Sequence, residues 1–182
     1  MTKNETSPSS PTSDLDKIQD QYEQLLGSFQ SVQLATVDAQ GAPTASYSPA
    51  VLDDERNFYI YVSEIAGHTG NLLDNGKASF MVIEDESAAG QLFARKRISF
   101  KAQAVEVERG SPAWEDILGR FEEKFGRVVE HLKGMADFHL FRLKPEDGRL
   151  VLGFGRAYSI SADLSLVEHL KGLDGNGHRK DN

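Results

Sequence analysis

The stretch Phe58-Tyr59-Ile60-Tyr61-Val62 is apolar throughout and follows a cluster of turn residues, which predicts a short β-strand. Successive side chains of a strand point to opposite faces, so Phe, Ile and Val share one face and the two tyrosines share the other. A strand with two apolar faces must be covered on both. The sequence therefore predicts a closed barrel, or a sheet packed against a partner layer.

Six further runs with strand character and turn residues at their ends predict the rest of the sheet. They cover residues 32–37, 45–52, 78–83, 97–107, 138–143 and 150–160. In the run 97–107 the apolar residues alternate as far as Ala104 and then change face. This change predicts a bulge or a sharp bend near Ala104, which is how a strand curls around a small barrel.

Apolar residues at helical spacing predict helices before, between and after these strands. The first helix begins at Ser13 or Asp14, ends before Gly27, and buries a stripe made of Leu15, Ile18, Tyr22, Leu25 and Leu26. Further helices are predicted at residues 67–76, 112–125, 128–135 and 164–170. The pattern as a whole predicts an α+β protein built on an antiparallel β-barrel with peripheral helices.

Composition excludes several classes of function. The chain has 182 residues, a net charge of −8 and no cysteine. The negative charge argues against a nucleic-acid-binding protein, since phosphate binding needs a basic surface. The lack of cysteine excludes disulfides, thiolate nucleophiles, Cys-ligated zinc and iron–sulfur clusters. With no signal peptide and no run long enough to span a bilayer, we expect a cytoplasmic protein without membrane insertion.

The basic block Arg95-Lys96-Arg97 lies just before a strand in this acidic protein. Such a run is often a solvated loop end. The functional interpretation is a seat for phosphate or carboxylate groups, because Arg presents a planar fork of donors to both. With Phe93 nearby, the block is also suited to the rim of a flat aromatic cofactor.

Two other positions carry ligand-type side chains. Asp137 precedes an apolar strand, where it either starts the strand or orients a histidine by accepting its second ring proton. His178 lies in a glycine-rich C-terminal stretch. That stretch is either a frayed end or a flexible arm that delivers a neutral nitrogen ligand.

The remaining histidines favour structural roles. His139 is expected to pack in the barrel, while His131 and His169 are expected on the surface of helices. His68 precedes a helix, a common place for a capping or anion-binding side chain.

Several ordered blocks of this chain resemble haem-degrading proteins of the HutZ/HugZ type, a branch of the split β-barrel superfamily that also contains FMN-dependent pyridoxamine phosphate oxidases. The blocks are residues 34–41, 91–97, 137–143, 153–155 and 177–180. Residues 1–13 are mostly Ser, Thr and Pro with little apolar content, so we expect a disordered tail there, followed by the barrel domain at residues 14–171. The resemblance covers about residues 30–180 and implies that this domain is a split barrel and that residues 172–182 form a flexible haem-ligating arm.

The resemblance further implies a homodimer with haem bound at the subunit interface. His178 matches the iron ligand, Asp137 matches its partner across the interface, and Arg95, Lys96 and Arg97 match a basic block near the haem edge. In that family the macrocycle is opened oxidatively with O₂ and electrons from an external donor.

Two alternatives stay open. One is an FMN-dependent oxidoreductase on the same barrel, and the other is a non-catalytic haem carrier. The FMN oxidases place a lysine in the loop after the third strand, whereas residues 63–69 contain no lysine and have His68 near that place. His68 is therefore also a candidate for a second, weaker haem contact.

Overall fold

The computed structural model describes residues 14–170, which form eight strands, four α-helices and two short 3₁₀ turns. The helices are α1 (Asp14–Ser28), α2 (Gly67–Asn75), α3 (Pro112–Phe125) and α4 (Val128–Lys133). The strands are β1 (Ser31–Val37), β2 (Pro43–Leu52), β3 (Phe58–Ser63), β4 (Lys77–Ile83), β5 (Arg97–Glu106), β6 (Phe138–Gly153), β7 (Arg156–Ile160) and β8 (Leu166–His169). The 3₁₀ turns are Glu86–Ala88 and Leu92–Ala94.

All strand pairings are antiparallel, in the order β3-β2-β1-β4-β5-β6-β7-β8. A further pairing between β3 and β6 closes the first six strands into a ring. β7 and β8 extend the sheet beyond that ring. This arrangement confirms the predicted antiparallel split barrel with peripheral helices.

The two faces of β3 lie in different cores, as its sequence predicts. Phe58, Ile60 and Val62 point into the barrel core. Tyr59 and Tyr61 pack in a second core with α3. From Phe58 to Val62 every side chain of β3 is buried, because successive side chains point alternately into these two apolar layers.

The helix α1 covers part of the barrel core with four of the five residues expected to do so. Leu15 is the exception, since it is exposed on the first turn of the helix. Gly27 was expected to lie beyond the helix, whereas α1 continues through it to Ser28.

The strands near the C-terminus differ from their predicted bounds. The bounds predicted for the strands at 138–143 and 150–160 are wrong. β6 runs without interruption from Phe138 to Gly153, and a tight turn then leads into β7. Gly155 has a φ of +67° in that turn, a backbone conformation that favours glycine. Residues 153–155 therefore form a hairpin turn and not the interior of the strand predicted at 150–160.

The predicted helix at 164–170 is also wrong. Residues Leu166–His169 form β8, which pairs with β7 at the edge of the sheet. Leu164 has a φ of +63°, which does not fit a right-handed helix start. Pairing with an available sheet edge overrides the weak helical spacing of this short segment.

The irregularity predicted near Ala104 lies elsewhere. The register between β5 and β6 shifts between Lys101 and Ala102, and the extra residue is Glu146 on β6. Val105 is exposed at the end of β5, while Val107 packs beside the α3 core. The change of apolar face in the sequence thus marks the end of the strand, and the bulge belongs to its partner.

Part of the barrel's outer surface carries small and polar side chains across four strands. In one row, Tyr47 of β2 lies beside Gln33 of β1, Gln33 beside Met81 of β4, and Met81 beside Ser99 of β5. Tyr47 is 61% exposed and Gln33 is exposed. The adjacent row consists of Ala45, Ala35 and Ser79. We call these two rows the outer face, a low surface that another molecule can approach closely.

Candidate functional site

The basic block lies where the 3₁₀ turn Leu92–Ala94 leads into β5. Arg95 is largely committed within the protein, because its Nη1 donates to Glu86 Oε1 at 2.8 Å and its Nε donates to the Glu84 carbonyl oxygen at 3.1 Å. The side chain of Arg95 therefore fixes the loop and is less available to a ligand than the sequence suggested.

Lys96 and Arg97 are the better candidates for binding an anion. Neither side chain forms an ion pair with any residue between 14 and 170. Within the described part of the chain, the Arg97 side chain donates only to the Arg95 carbonyl oxygen, at 2.9 Å. Beside them, Phe93 is 86% exposed. The block thus combines two unneutralised cations with an exposed aromatic ring.

Asp137 precedes β6 and is held by the residues that end β3. The Ser63 Oγ donates to Asp137 Oδ2 at 2.6 Å, and the Glu64 N–H donates to the Asp137 carbonyl oxygen at 2.9 Å. The Ile65 N–H donates to the Ser63 Oγ at 3.2 Å, so the hydroxyl is itself oriented. Within the described part of the chain, Asp137 Oδ1 accepts no hydrogen bond, which leaves this oxygen for a donor from elsewhere.

Arg109 holds the segment before Asp137 from the other side. Its guanidinium donates to the carbonyl oxygens of Lys133, Met135 and Phe138 at 2.6–3.1 Å. It also lies 5.3 Å from the ring centre of Trp114. The Asp137 segment is therefore pinned at several points.

His139 lies between two carboxylates and is not the packed barrel residue that was expected. Its Nδ1 is 2.6 Å from Glu106 Oε1, and its Nε2 is 2.9 Å from Glu64 Oε1. Both nitrogens can donate only when the imidazole is protonated. The hydrogen bonds to Glu106 and then Glu64 outweigh partial burial and raise the pKa of His139.

His68 lies in the first turn of α2 and is 7% exposed. Its Nε2 is buried without a hydrogen-bond partner among the described residues. Burial lowers the pKa of His68, so the ring is neutral near pH 7. A neutral, buried imidazole with an unused ring nitrogen is suited to a donor or a metal, and not to a phosphate.

The structure separates the predicted site residues into two groups at opposite ends of β5. Arg97 begins β5, whereas Glu106 ends it and contacts the strand that follows Asp137. His68 belongs to the Asp137 end, because the next residue, Thr69, donates to the Ser63 carbonyl oxygen at 2.6 Å. Nine residue steps along β5 span about 30 Å. One copy of the chain therefore does not unite the two groups.

His178 and the two terminal segments predicted at 1–13 and 172–182 lie outside the described residues. The described chain ends near the basic end of the barrel, since the Leu170 N–H donates to the Ala157 carbonyl oxygen and Ala157 pairs with Val151, the partner of Arg97. Residues 14–170 contain no group of three or more acidic or histidine side chains arranged to hold a metal ion. In the same range, no helix has the length and apolar character needed to cross a bilayer.

Sequence reasoning missed the residues that position Asp137. Ser63 and Glu64 lie 74 and 75 positions away from their partners, and Glu106 lies 33 positions from His139. None of these residue types is distinctive in a loop or at a strand end. Only the strand register, which pairs Ser63 with Phe138, brings them together.

Comparison with known proteins gives consistent matches. The family model for pyridoxamine 5'-phosphate oxidase matches residues 18–152. The Vibrio cholerae protein named Heme oxygenase HutZ is 48% identical over 152 residues, which cover 82% of this chain and 83% of that relative.

Two solved structures share both fold and sequence. One is Vibrio cholerae HutZ, described as a heme storage protein, with a TM-score of 0.67 and 44% identity over 70% of this chain and 89% of that chain. The other is Campylobacter jejuni ChuZ, with a TM-score of 0.81 and 33% identity over 92% of this chain and 68% of that chain. With the closed barrel and these matches over most of its length, the chain belongs to the pyridoxamine 5'-phosphate oxidase family and, within it, to the HutZ-like proteins.

Proposed function

We propose that this protein binds haem and degrades it oxidatively in haem utilisation. The observation that carries the proposal is 48% identity, over 82% of the chain, to a relative named Heme oxygenase HutZ. Haem is the substrate, and its oxidative opening requires O₂ and electrons from an external donor. The described residues offer what such a substrate needs: free cations for its propionates, an exposed aromatic side chain, and a carboxylate with one free oxygen.

The working unit in this proposal is a homodimer. The basic block and Asp137 lie at opposite ends of β5, so a single chain supplies only half a site at each end. In a two-fold contact with the two β5 strands antiparallel, the basic end of one copy faces the Asp137 end of the other. The outer face offers a low surface for that contact, with Tyr47 exposed at its edge.

The point at which the described chain ends supports the same arrangement. His178 lies eight residue steps beyond Leu170. Fully extended, they span at most about 29 Å. Leu170 lies near the basic block of its own chain, whereas Asp137 of the same chain lies at the other end of β5. The extended span therefore favours a site beside the basic block of the same chain. His178 of one copy is therefore proposed to ligate the iron beside its own basic block and to meet the Asp137 of the other copy.

Each side chain then has a defined task. Lys96 and Arg97 pair with the anionic propionates. His178 ligates the iron through one ring nitrogen and donates its other N–H to Asp137 Oδ1, which strengthens the ligand. Ser63 occupies Asp137 Oδ2, so the carboxylate presents its remaining oxygen in a fixed direction.

The FMN alternative has less support from the described residues. The loop at 63–69 lacks the lysine expected for a flavin phosphate, and His68 in that region is buried and neutral near pH 7. A neutral imidazole contributes no charge to phosphate binding. A storage role uses the same haem site, and Vibrio cholerae HutZ has also been described as a heme storage protein.

Hemin titration of the purified protein tests these alternatives. We expect a Soret band distinct from that of free hemin, and its loss when a reductant is added under air. A stable Soret band under those conditions supports storage, and a free-hemin spectrum together with co-purified FMN supports the flavin function. His178→Ala is expected to change the axial-ligand spectrum, and an unchanged spectrum removes His178 as the ligand. Asp137→Asn is expected to slow turnover more than it weakens binding.

Mixing two inactive variants tests whether the site spans two copies. One variant carries Lys96→Ala and Arg97→Ala, and the other carries Asp137→Asn. In a mixed dimer, one of the two sites combines both defects and the other has neither. Random mixing makes half of the dimers mixed, so about one quarter of the wild-type activity returns. No recovery after verified subunit exchange means that the residues act within one chain.

A further inference from the structure

His139 joins three segments that meet around Asp137. Its two nitrogens contact Glu64, in the loop after β3, and Glu106, the last residue of β5. The His139 side chain is 18% exposed, whereas both glutamates are much more exposed. The bridge therefore brings two surface carboxylates onto a mostly buried cation.

The charged surroundings of His139 come from several elements. Glu64 and Glu106 face its ring directly, and Phe141 of the same strand lies against it with the ring centres 6.2 Å apart. Asp137 precedes His139 by two residues, in the turn before β6. From α2, Asp74 lines the groove of about 350 Å³ that Glu106 also borders. The nearby cation is Arg109, which donates to the Phe138 carbonyl oxygen at 2.6 Å. The two carboxylates that contact the ring itself, Glu106 and Glu64, favour the imidazolium form.

The contact between Glu64 and His139 affects the position of Asp137 through Ser63, the residue that precedes Glu64. The loop that carries Glu64 also carries Ser63, whose Oγ holds Asp137 Oδ2, and the Glu64 N–H holds the Asp137 carbonyl oxygen. Release of the Glu64 side chain frees this loop on one side of Asp137. On the other side, the Val107 N–H donates to the Leu140 carbonyl oxygen at 2.8 Å next to the Glu106 contact.

We propose that His139 is a positioning residue: as an imidazolium bridging Glu64 and Glu106, it fixes the loop after β3 to the start of β6 and so keeps Asp137 Oδ1 directed outward. This role rests on the proposed function only where it concerns turnover. In the protein without haem, we expect the loop after β3 to be held in place while His139 is protonated. We expect the loop to be released when His139 loses its proton.

The apo protein tests the bridge directly. Titration of the imidazole resonances by NMR is expected to give His139 a pKa above the ordinary histidine value, and Glu106→Gln and Glu64→Gln are each expected to lower it. The protection factor of the Ile65 amide, which is corrected for the intrinsic rise of exchange with pH, is expected to fall as the His139 ring deprotonates. A His139 pKa unchanged by both glutamine variants, or an Ile65 amide indifferent to that titration, overturns the proposal.

The haem-loaded protein tests the consequence for Asp137. In His139→Gln we expect hemin affinity to stay within about threefold of wild type and turnover to fall about tenfold or more, as for other residues that orient a ligand's partner. The iron–histidine stretching frequency is expected to shift in the same direction as in Asp137→Asn. His131→Gln is the matched control, because His131 is exposed and, among residues 14–170, its side chain hydrogen-bonds only to the Arg127 carbonyl oxygen.

The results distinguish a failure of the His139 positioning role from a failure of the proposed haem function. A folded His139→Gln variant with wild-type turnover and a wild-type iron–histidine frequency overturns the positioning role. If the wild-type protein binds no hemin, the proposed function fails, while the apo titration and the Ile65 exchange still decide whether the bridge exists. If His139→Gln does not fold, Glu106→Gln removes one arm of the bridge from an exposed position and gives the same readouts.

Discussion

Replacing Gly148 with alanine is expected to strain the barrel core at one identified contact. Gly148 of β6 lies opposite Phe100 of β5 and Ile160 of β7. A Cβ at this position lies 2.4 and 2.5 Å from two ring carbons of Phe100 and 3.1 Å from the Ser99 carbonyl oxygen. Carbon atoms pack favourably at about 3.5–4.0 Å, so the ring must move by about 1 Å or more.

Phe100 has little room for that movement. Its side chain is 1% exposed, and its ring centre lies 5.3 Å from that of Phe80 and 5.8 Å from that of Phe58. Overpacking of a tight core typically costs about 1–3 kcal/mol. For a chain of this size that corresponds to a fall in Tm of about 2–12 °C.

Chemical and thermal unfolding at one fixed protein concentration measure the effect. Gly119→Ala is the matched control, because Gly119 is exposed in α3 with no atom within 4 Å of an added Cβ. That change is expected to stabilise the helix by about 0.5–1 kcal/mol. Phe100→Leu in the Gly148→Ala background is expected to recover part of the loss, with a coupling of about 0.5–3 kcal/mol. A Gly148→Ala variant as stable as wild type, or strictly additive effects, refutes the packing argument.

Three further predictions concern buried ionisable groups. Lys124 Nζ donates to the carbonyl oxygens of Phe29 and Ala50 at 2.8 and 3.0 Å. Because Lys124→Met leaves both carbonyl oxygens without this donor, the change is expected to lower the free energy of unfolding by about 1–3 kcal/mol. An unchanged denaturation midpoint contradicts this expectation. His68 has a lowered pKa in the folded state, so the unfolded chain takes up the proton first and stability falls as the pH drops below about 6.5. The stability difference between wild type and His68→Leu is therefore expected to change between pH values of about 7 and 5, and a constant difference rules out a buried neutral ring. Burial and a hydrogen bond to the Asp53 carboxylate raise the pKa of Tyr59 to about 12. The part of the phenolate absorbance that is lost in Tyr59→Phe is therefore expected to titrate near that pH. A transition at the ordinary tyrosine pKa argues against the burial of Tyr59.

The parts of the fold predicted from sequence are those where a local pattern has one good solution. Alternating apolar residues at 58–62 require two cores, and both are present. The apolar residues at helical spacing in the helix predicted at 112–125 require one apolar partner layer. Trp114, Ile117, Leu118 and Phe121 are buried against that layer, and Phe125 at the end of the helix is only partly buried. In these segments the spacing of the apolar side chains determines both the type of secondary structure and the face that is buried.

The errors occur where the local pattern fits two structures. Residues 150–160 suit one long strand with a small-residue face or two strands joined by a glycine turn, and the hairpin is chosen by pairing across β6 and β7. Residues 164–170 suit a short helix or an edge strand, and the free edge of β7 decides for the strand. Tertiary pairing supplies the deciding free energy in both places, and a single sequence carries no record of it.

In the candidate site, too, some features are visible in the sequence and others depend on how distant segments fold together. The basic block is visible in sequence because its charges are consecutive, but the commitment of Arg95 to Glu84 and Glu86 depends on how the loop folds. Asp137 is visible as a carboxylate at a strand start. Its link to Ser63 is not, because it requires the register of two strands that are distant in the chain.

That register connects the closure of the barrel to the assembly of the Asp137 half of the site. The pairing of β3 with β6 closes the ring, and the same pairing sets Ser63 beside Phe138 and Val62 beside His139. The basic half depends instead on the connection between β4 and β5, whose ends are only 14 residues apart, from Ile83 to Arg97. Loop closure over a short segment is entropically easier than closure over the 75 residues between Ser63 and Phe138. The basic half can therefore form without the ring, whereas the carboxylate half exists only when the barrel is closed. Loss of barrel closure is thus expected to remove the Ser63–Asp137 contact before it disturbs the basic block.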